Sequence, residues 1–189
     1  PYLSLEFGEQ LNLKQRLRID RELMQHHADV IIEQSAMGLD HLHEQQWVHC
    51  DIKPDNYLVD DEGRAKLIDF ALCQPSRTGF LAKLGVGKPK EIAGTRSYMS
   101  PEQIRRRPLD IRSDIYSLGC MYFEIVTGKL PFTGNSPEQL LTKHLKAKAP
   151  PANTLNKNVT QEFSDLIEDM MRKKKEQRPN NLKTVLRHL

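Results

Sequence analysis

The feature of this sequence that most constrains its fold is a nearly continuous apolar segment at residues 113–127. Its apolar side chains include Ile115, Leu118, Cys120, Met121, Phe123, Ile125 and Val126. Gly128 and Pro131 follow, and both residue types commonly mark the end of a helix. The segment therefore predicts a buried helix.

Composition restricts the class of protein further. The chain has 189 residues, 38% of them hydrophobic, which is enough for one domain with a well-buried core. A formal charge of +3 is too small to indicate nucleic-acid binding, and we expect no nucleic-acid partner. No run of about 18 apolar residues occurs, so we expect no membrane segment. The three cysteines lack paired spacing and favour a reducing, cytoplasmic setting over a disulfide framework or a zinc site.

Most of the remaining chain has helical periodicity, with a small strand content in its first third. Apolar residues recur every three or four positions over 21–46, which predicts one long amphipathic helix. Residues 57–59 and 65–68 predict two short strands of a hairpin, and 71–94 predict a long loop. Further predicted elements are a strand at 2–5 and helices at 136–145, 160–171 and 181–189. The predicted fold class is mainly α (α+β).

Between the long helix and the hairpin lies the segment HCDIKPDN, residues 49–56, which is rich in groups that can do chemistry. Asp51 and Asn56 lie five residues apart, and Asp69 follows the second hairpin strand, which returns the chain toward Asn56. A carboxylate and an amide oxygen suit a hard cation such as Mg²⁺. Lys53 adds a positive charge. These are the components that phosphoryl transfer requires.

The segment HCDIKPDN resembles the catalytic loop of eukaryotic-type serine/threonine protein kinases, and residues 69–71 (DFA) resemble their metal-binding D-F-G motif. Three further segments match in order. They are 94–102 (GTRSYMSPE), similar to the segment ending in A-P-E; 114–119 (DIYSLG), similar to the helix beneath the catalytic loop; and 178–179 (RP), similar to the family's late arginine. The resemblance covers essentially the whole chain.

The resemblance implies a fold and a domain organisation. The expected fold is a protein-kinase-like C-terminal lobe with a small β-hairpin at the catalytic cleft. Residues 1–8 correspond to a strand and hinge remnant and 9–189 to the large lobe, and residues 112–119 are similar to bacterial members. The glycine-rich loop and strand lysine of the N-terminal lobe would precede Pro1, so this lobe is expected to be absent from the chain. The chain alone is then expected to be inactive and to self-associate through exposed apolar surface.

The resemblance also implies an activity, namely transfer of the ATP γ-phosphate to a serine or threonine hydroxyl of a protein substrate. Asp51 would accept or orient the hydroxyl proton, Lys53 would meet the γ-phosphate, and Thr95 would brace both of them. The implied Mg²⁺ ligands are Asn56 and Asp69. The implied ATP contacts are Glu6, Gly8, Lys53, Asn56, Leu58 and Asp69.

Other residues are expected to support the site without reacting. His49 is expected to hydrogen-bond backbone and to pack. Asp114, in an apolar helix, is expected to accept hydrogen bonds from amides of the catalytic loop, since a buried carboxylate needs partners. Glu102 and Arg178 are expected to form a buried ion pair. The basic run 172–175 could attract an anionic surface, but a solvated helix end is the favoured interpretation.

Two departures from the family pattern keep a second function open. Cys50 replaces an arginine that ordinarily receives a phosphate on the activation loop, so phosphorylation at Ser76, Thr78 or elsewhere in that loop is not expected to be the main switch. Ala71 replaces a glycine, and its methyl group is expected to restrict rearrangement of the loop. The alternative is a pseudokinase or scaffold that binds partners without turnover.

Overall fold

The structure, a computed structural model, describes residues 10–76 and 96–189. The helices are α1 (Leu13–Ile19), α2 (Arg21–His26), α3 (Ala28–Glu44), α4 (Pro101–Ile104), α5 (Ile111–Thr127), α6 (Pro137–Lys146), α7 (Ala152–Leu155), α8 (Gln161–Met170) and α9 (Leu182–Leu186). The strands are β1 (Trp47–Val48), β2 (Tyr57–Val59), β3 (Ala65–Leu67) and β4 (Gln74–Pro75). Short 3₁₀ turns lie at Pro54–Asn56, Arg96–Tyr98 and Lys175–Gln177. The mainly α prediction is confirmed.

The buried helix predicted at 113–127 is confirmed as α5, which lies at the centre of the core. Residues from Ser113 to Thr127 are all buried, and the helix packs against α3, α7 and α8. At its N-terminus, the Asp110 carboxylate accepts a hydrogen bond from the Arg112 amide at 3.0 Å. At its C-terminus, Gly128 adopts a left-handed conformation with φ 67°, which glycine accommodates without strain.

Two later helices begin within one residue of their predicted starts at 136 and 160. Ser136 caps α6 by accepting a hydrogen bond from the Gln139 amide at 3.2 Å, with Pro137 at the first helical position. Thr160 caps α8 through the Phe163 amide at 3.1 Å. Side-chain oxygens at these positions satisfy amides that have no partner within the helix, which is why the sequence locates helix starts well.

Three helix predictions need correction. The single helix predicted over 21–46 is wrong, because the chain breaks at His27 into α2 and α3. His27 lies against the hairpin turn at Gly63, where an added β-carbon would be only 2.6 Å from the His27 β-carbon, and periodicity cannot reveal such a tertiary contact. Helix α1, capped by Asn12, was not predicted. The last helix is shorter than predicted, with Asn181 as its cap.

The strands form two small antiparallel pairs. Strands β2 and β3 pair as the predicted hairpin, with Tyr57 opposite Leu67 and Val59 opposite Ala65. Strands β1 and β4 were not predicted, since two residues carry too little pattern to detect, and they join Val48 to Gln74. Strand β1 ends directly before the 49–56 loop and β2 begins directly after it, so the two strand pairs fix both ends of the loop.

Some sequence predictions lie outside the described residues. These are the strand at 2–5, the hinge at 6–8 and the 77–94 part of the predicted loop. Across residues 10–76 and 96–189, no helix combines the length and apolar character needed to cross a bilayer.

Asp110 provides a test of the ion pairs that hold the start of α5. Burial alone would raise the pKa of this carboxyl, but hydrogen bonds from Arg112 and Lys175 lower it to about 2. A depressed pKa stabilises the fold above the unfolded pKa, and this stabilisation is lost as pH falls from about 4 to about 2. We expect Asp110→Asn, which retains a capping oxygen, to lower the unfolding free energy at pH 7 by about 1–2 kcal/mol.

Urea unfolding across this pH range measures the effect, with Asp165→Asn on the exposed side of α8 as the matched control. The difference between the parent and Asp110→Asn should shrink toward pH 2, whereas the control should track the parent. A difference that stays constant with pH would contradict the assignment.

Candidate active site

The 49–56 loop brings together three of the residues predicted to carry the chemistry. Lys53 Nζ lies 2.6 Å from Asp51 Oδ2. Asn56 Nδ2 donates to the same oxygen at 3.2 Å and to the Asp51 carbonyl oxygen at 2.8 Å. The 3₁₀ turn at Pro54–Asn56 allows this approach, because it folds Asn56 back toward the start of the loop. The Asp51 carboxylate is therefore held by two donors from its own loop.

Asp69 returns to the same region through the hairpin. The amide of Ile68 donates to the Asn56 carbonyl oxygen at 2.9 Å, so the residue before Asp69 lies directly beside Asn56. Asn56 uses its amide nitrogen to hold Asp51, which leaves the amide oxygen as its metal-binding atom. An amide oxygen and a carboxylate are hard oxygen donors, and this donor set fits Mg²⁺. The Lys53 ammonium fits a phosphate group.

The backbone after β3 changes the interpretation of Ala71. The left-handed conformation falls on Asp69, with φ 62°, whereas Ala71 has a negative φ that any residue can adopt. Ala71 is therefore free of backbone strain in this conformation, and the restriction of loop rearrangement by its methyl group stays a prediction. The Ala71 amide donates to Asp69 Oδ1 at 3.3 Å, and the Phe70 side chain is 53% exposed.

A buried carboxylate on α5 anchors the loop from below. Asp114 is 1% exposed, and its two oxygens accept hydrogen bonds from the amides of His49 at 2.7 Å and Cys50 at 2.9 Å. The predicted role of Asp114 is confirmed. His43 on α3 was missed: its Nε2 lies 2.9 Å from Asp114 Oδ2. No sequence pattern indicates this contact, because a histidine on an amphipathic helix is usually solvated or packed.

The other two supporting predictions are also confirmed. His49 Nε2 lies 3.2 Å from the Ile68 carbonyl oxygen, and its ring packs against Phe70 with 5.5 Å between centroids. Arg178 forms a bidentate ion pair with Glu102, at 2.6 and 2.9 Å, and both residues are buried. Such planar, two-point pairing is specific to arginine and compensates the burial of both charges.

Two glutamine side chains donate hydrogen bonds to Cys50. Its Sγ accepts a hydrogen bond from Gln74 Nε2 at 3.2 Å, and its carbonyl oxygen accepts one from Gln103 Nε2 at 2.7 Å. Burial, together with the nearby Asp114 carboxylate, raises the pKa of the Cys50 thiol to about 12, so the thiol is neutral at physiological pH. Neither Cys50 nor Gln74 carries a positive charge that could receive a phosphate.

The remaining predicted site residues are placed less completely. Leu58 lies on β2 between buried Tyr57 and Val59, and because strand residues alternate in direction, it points away from the core side of the hairpin. Glu6, Gly8 and Thr95 lie outside the described residues. The structure thus places Asp51, Lys53 and Asn56 in direct contact and brings the chain at Asp69 alongside them.

Comparison with known proteins gives the same family for the whole chain. The family model described as "Protein kinase domain" matches residues 1–189. This range contains every segment on which the resemblance was based.

Curated relatives are bacterial enzymes. The chain is 35% identical over 166 residues to serine/threonine-protein kinase PrkC of Bacillus subtilis strain 168, which covers 88% of the chain and 25% of that protein. It is 37% identical over 168 residues to serine/threonine-protein kinase PknL of Mycobacterium tuberculosis, covering 88% of the chain and 41% of that protein. The chain therefore spans less than half the length of these curated relatives.

The Asp114 anchor is testable by removing its charge. In Asp114→Asn, an amide nitrogen replaces one of the two acceptor oxygens and faces a donor, so a buried hydrogen bond becomes a repulsive contact. We expect the unfolding free energy to fall by about 2–4 kcal/mol. The His49 and Cys50 amides should also exchange with solvent faster.

Urea unfolding and amide hydrogen exchange measure these two effects. Asp69→Asn is the matched control, because the same charge is removed from an exposed residue. Its unfolding free energy should stay within about 0.5 kcal/mol of the parent. Unchanged stability and unchanged exchange in Asp114→Asn would show that the anchor is unimportant.

Proposed function

The chain belongs to the protein kinase family, and from that premise we propose that it transfers the γ-phosphate of ATP to a serine or threonine hydroxyl of a protein substrate. The names of the curated relatives, which are serine/threonine-protein kinases, support this proposal. The observation that carries it is the convergence of Lys53 and Asn56 on the Asp51 carboxylate. A binding scaffold has no need for this set of groups.

The proposed roles follow from the contacts. The Asp51 carboxylate, held by Lys53 and Asn56, orients the substrate hydroxyl and accepts its proton. Lys53 lies close enough to Asp51 for its ammonium to neutralise charge on a phosphoryl group placed beside that carboxylate. Asn56 and Asp69 would hold Mg²⁺ through their side-chain oxygens. Bound magnesium–ATP would supply the phosphoryl group and neutralise its charge. Thr95 is proposed to brace Asp51 and Lys53.

The proposal extends to how the nucleotide is enclosed. Residues 9–189 are proposed to form the large lobe, with Glu6, Gly8 and Leu58 contacting ATP and a second lobe supplying the rest of the nucleotide site. An apolar groove of about 820 Å³ is lined in part by Leu42, Trp47 and Phe70. The Trp47 side chain is 41% exposed and the Phe70 side chain 53% exposed, so this groove is the surface that we expect the second lobe to cover. Residues 1–189 alone are then expected to be inactive and to self-associate.

A pseudokinase is the second candidate function. Cys50 and its neutral neighbour Gln74 support it, because they depart from the family's phosphate-receiving arginine. The negative φ of Ala71 weighs against it, since the D-F-A sequence is accommodated without strain at that residue. The free thiols of Cys50, Cys73 and Cys120 support a reducing, cytoplasmic setting for either function.

The first test is transfer of labelled phosphate from ATP to a generic serine/threonine substrate. In the intact protein, transfer should depend on Mg²⁺ and should fall by at least about a hundredfold in Asp51→Asn, because general-base catalysis contributes that much. Asp55→Asn is the matched control, since it removes the same charge from an exposed residue of the same loop. It should remain active. A folded protein that binds ATP without transferring phosphate would favour the pseudokinase.

Regulation gives a second test. Because Cys50 and Gln74 are neutral, phosphate on the predicted activation loop lacks a charged partner at this position. We expect alanine substitution at Ser76 and Thr78 to leave the transfer rate within about threefold of the parent, the size of effect expected when no charged contact is lost. A large gain in transfer rate when the loop of the parent is phosphorylated, abolished by alanine at the modified site, would contradict this expectation. Cys50→Arg provides the comparison, since it restores a charged partner.

A further inference from the structure

A cavity of about 280 Å³ lies away from the 49–56 loop, between the α6–α7 connection, α8 and the segment that follows α8. No residue of the 49–56 loop lines it. Phe132, Ala149, Ile167 and Met171 contribute apolar wall. Small-molecule sites are concave, mostly apolar and about 300–1,000 Å³, so this cavity is near the small end of that range.

The charges around this cavity are strongly unbalanced. Its charged lining residues are Lys146, Lys148, Glu168, Arg172, Lys173 and Lys174. The single carboxylate, Glu168, is already paired with Lys148 at 3.0 Å and Arg172 at 3.3 Å. Across residues 10–76 and 96–189, no carboxylate lies within ion-pair distance of Lys173. The cavity therefore offers net positive charge next to apolar wall.

The basic run 172–175 follows the end of a helix, as its sequence suggested, and Arg172 and Lys174 are exposed, but Lys173 and Lys175 are partly buried. Helix α8 ends at Met170, and Lys175 Nζ reaches Asp110 Oδ2 at 2.7 Å. Lys173 Nζ lies 4.2 Å from the centroid of the Phe132 ring and donates to the Tyr116 hydroxyl at 3.2 Å. Burial, with a contribution from the Arg178 guanidinium, lowers the pKa of Lys173 to about 8.

The Lys173 ammonium has three donor hydrogens, and the Tyr116 hydroxyl accepts one of them. Packing against aromatic faces stabilises a cation but does not satisfy its other donors. Lys173 is therefore a partly buried cation at the edge of an apolar cavity, with donor hydrogens available for a ligand. This combination suits an anion that has an apolar body.

We propose that this cavity binds a small organic carboxylate, whose apolar body lies against Phe132 and Ile167 and whose carboxylate accepts hydrogen bonds from Lys173. The apolar lining argues against a free inorganic anion, which would lose hydration there without compensation. The site is independent of the proposed kinase activity.

A buried hydrogen-bond chain gives binding a spectroscopic signature. The Tyr116 hydroxyl lies 3.0 Å from Nδ1 of His144, which is fully buried, so Lys173, Tyr116 and His144 are linked in series. Burial lowers the pKa of His144 to about 4, so its ring is neutral at pH 7. A carboxylate at Lys173 changes the hydrogen bond to Tyr116 and, through it, the ¹⁵N chemical shift of His144 Nδ1.

The test measures binding of 2-naphthoate to the intact protein by titration calorimetry at pH 7, with neutral 2-naphthamide as the control probe. Lys173→Met retains the unbranched side chain that packs on Phe132 but removes the charge. Lys173→Arg retains the charge. Lys157→Met is the matched control, because Lys157 is an exposed lysine that does not line the cavity.

We expect 2-naphthoate to bind the parent and Lys157→Met equally, with affinity at least about tenfold weaker in Lys173→Met and within about threefold of the parent in Lys173→Arg. 2-Naphthamide should not distinguish the variants, and only 2-naphthoate should shift His144 Nδ1 in the parent. The proposal is overturned if 2-naphthoate binds Lys173→Met as tightly as the parent, or does not bind the parent at about 5 mM, where even weak site-specific affinity is detectable.

Discussion

The site depends on one buried carboxylate. Asp114 lies in the first turn of the central helix α5 and accepts hydrogen bonds from two consecutive amides of the 49–56 loop, while His43 contacts it from α3. Without these donors, a charge that is 1% exposed would be prohibitively costly, and without the charge the loop amides would be buried and unpaired. Helix α5, the 49–56 loop and His43 therefore stabilise one another through the Asp114 carboxylate. The loop conformation that presents Asp51 follows from this mutual dependence.

Much of this arrangement was predictable because it is encoded locally. The continuous apolar run identified α5, the capping residue Ser136 located α6, and the order of motifs placed Asp51 and Asn56 in one loop. The features that the sequence did not predict depend on contacts between segments that are distant in the chain. The break at His27 depends on the neighbouring turn at Gly63, and neither feature is visible in the periodicity of its own segment.

The same distinction applies to side chains whose environment depends on distant elements. The sequence suggested that Lys173 is solvated, because charge runs usually are, but aromatic residues from two other segments enclose its ammonium. The left-handed conformation at Asp69, rather than at residue 71, likewise has no local signal in the sequence. Composition indicates how a residue usually behaves, whereas its neighbours in space determine what it does.

The Glu102–Arg178 ion pair has a consequence for synthesis on the ribosome. The two residues are 76 positions apart, so the carboxylate is made long before its partner emerges. At roughly 5–20 residues per second, Glu102 would wait several seconds without the guanidinium that compensates its burial. During that interval the region around α4 and the start of α5 cannot close stably. Nascent chains that stop before Arg178 should therefore remain open and depend on chaperones, even though the whole of the 49–56 loop has been made.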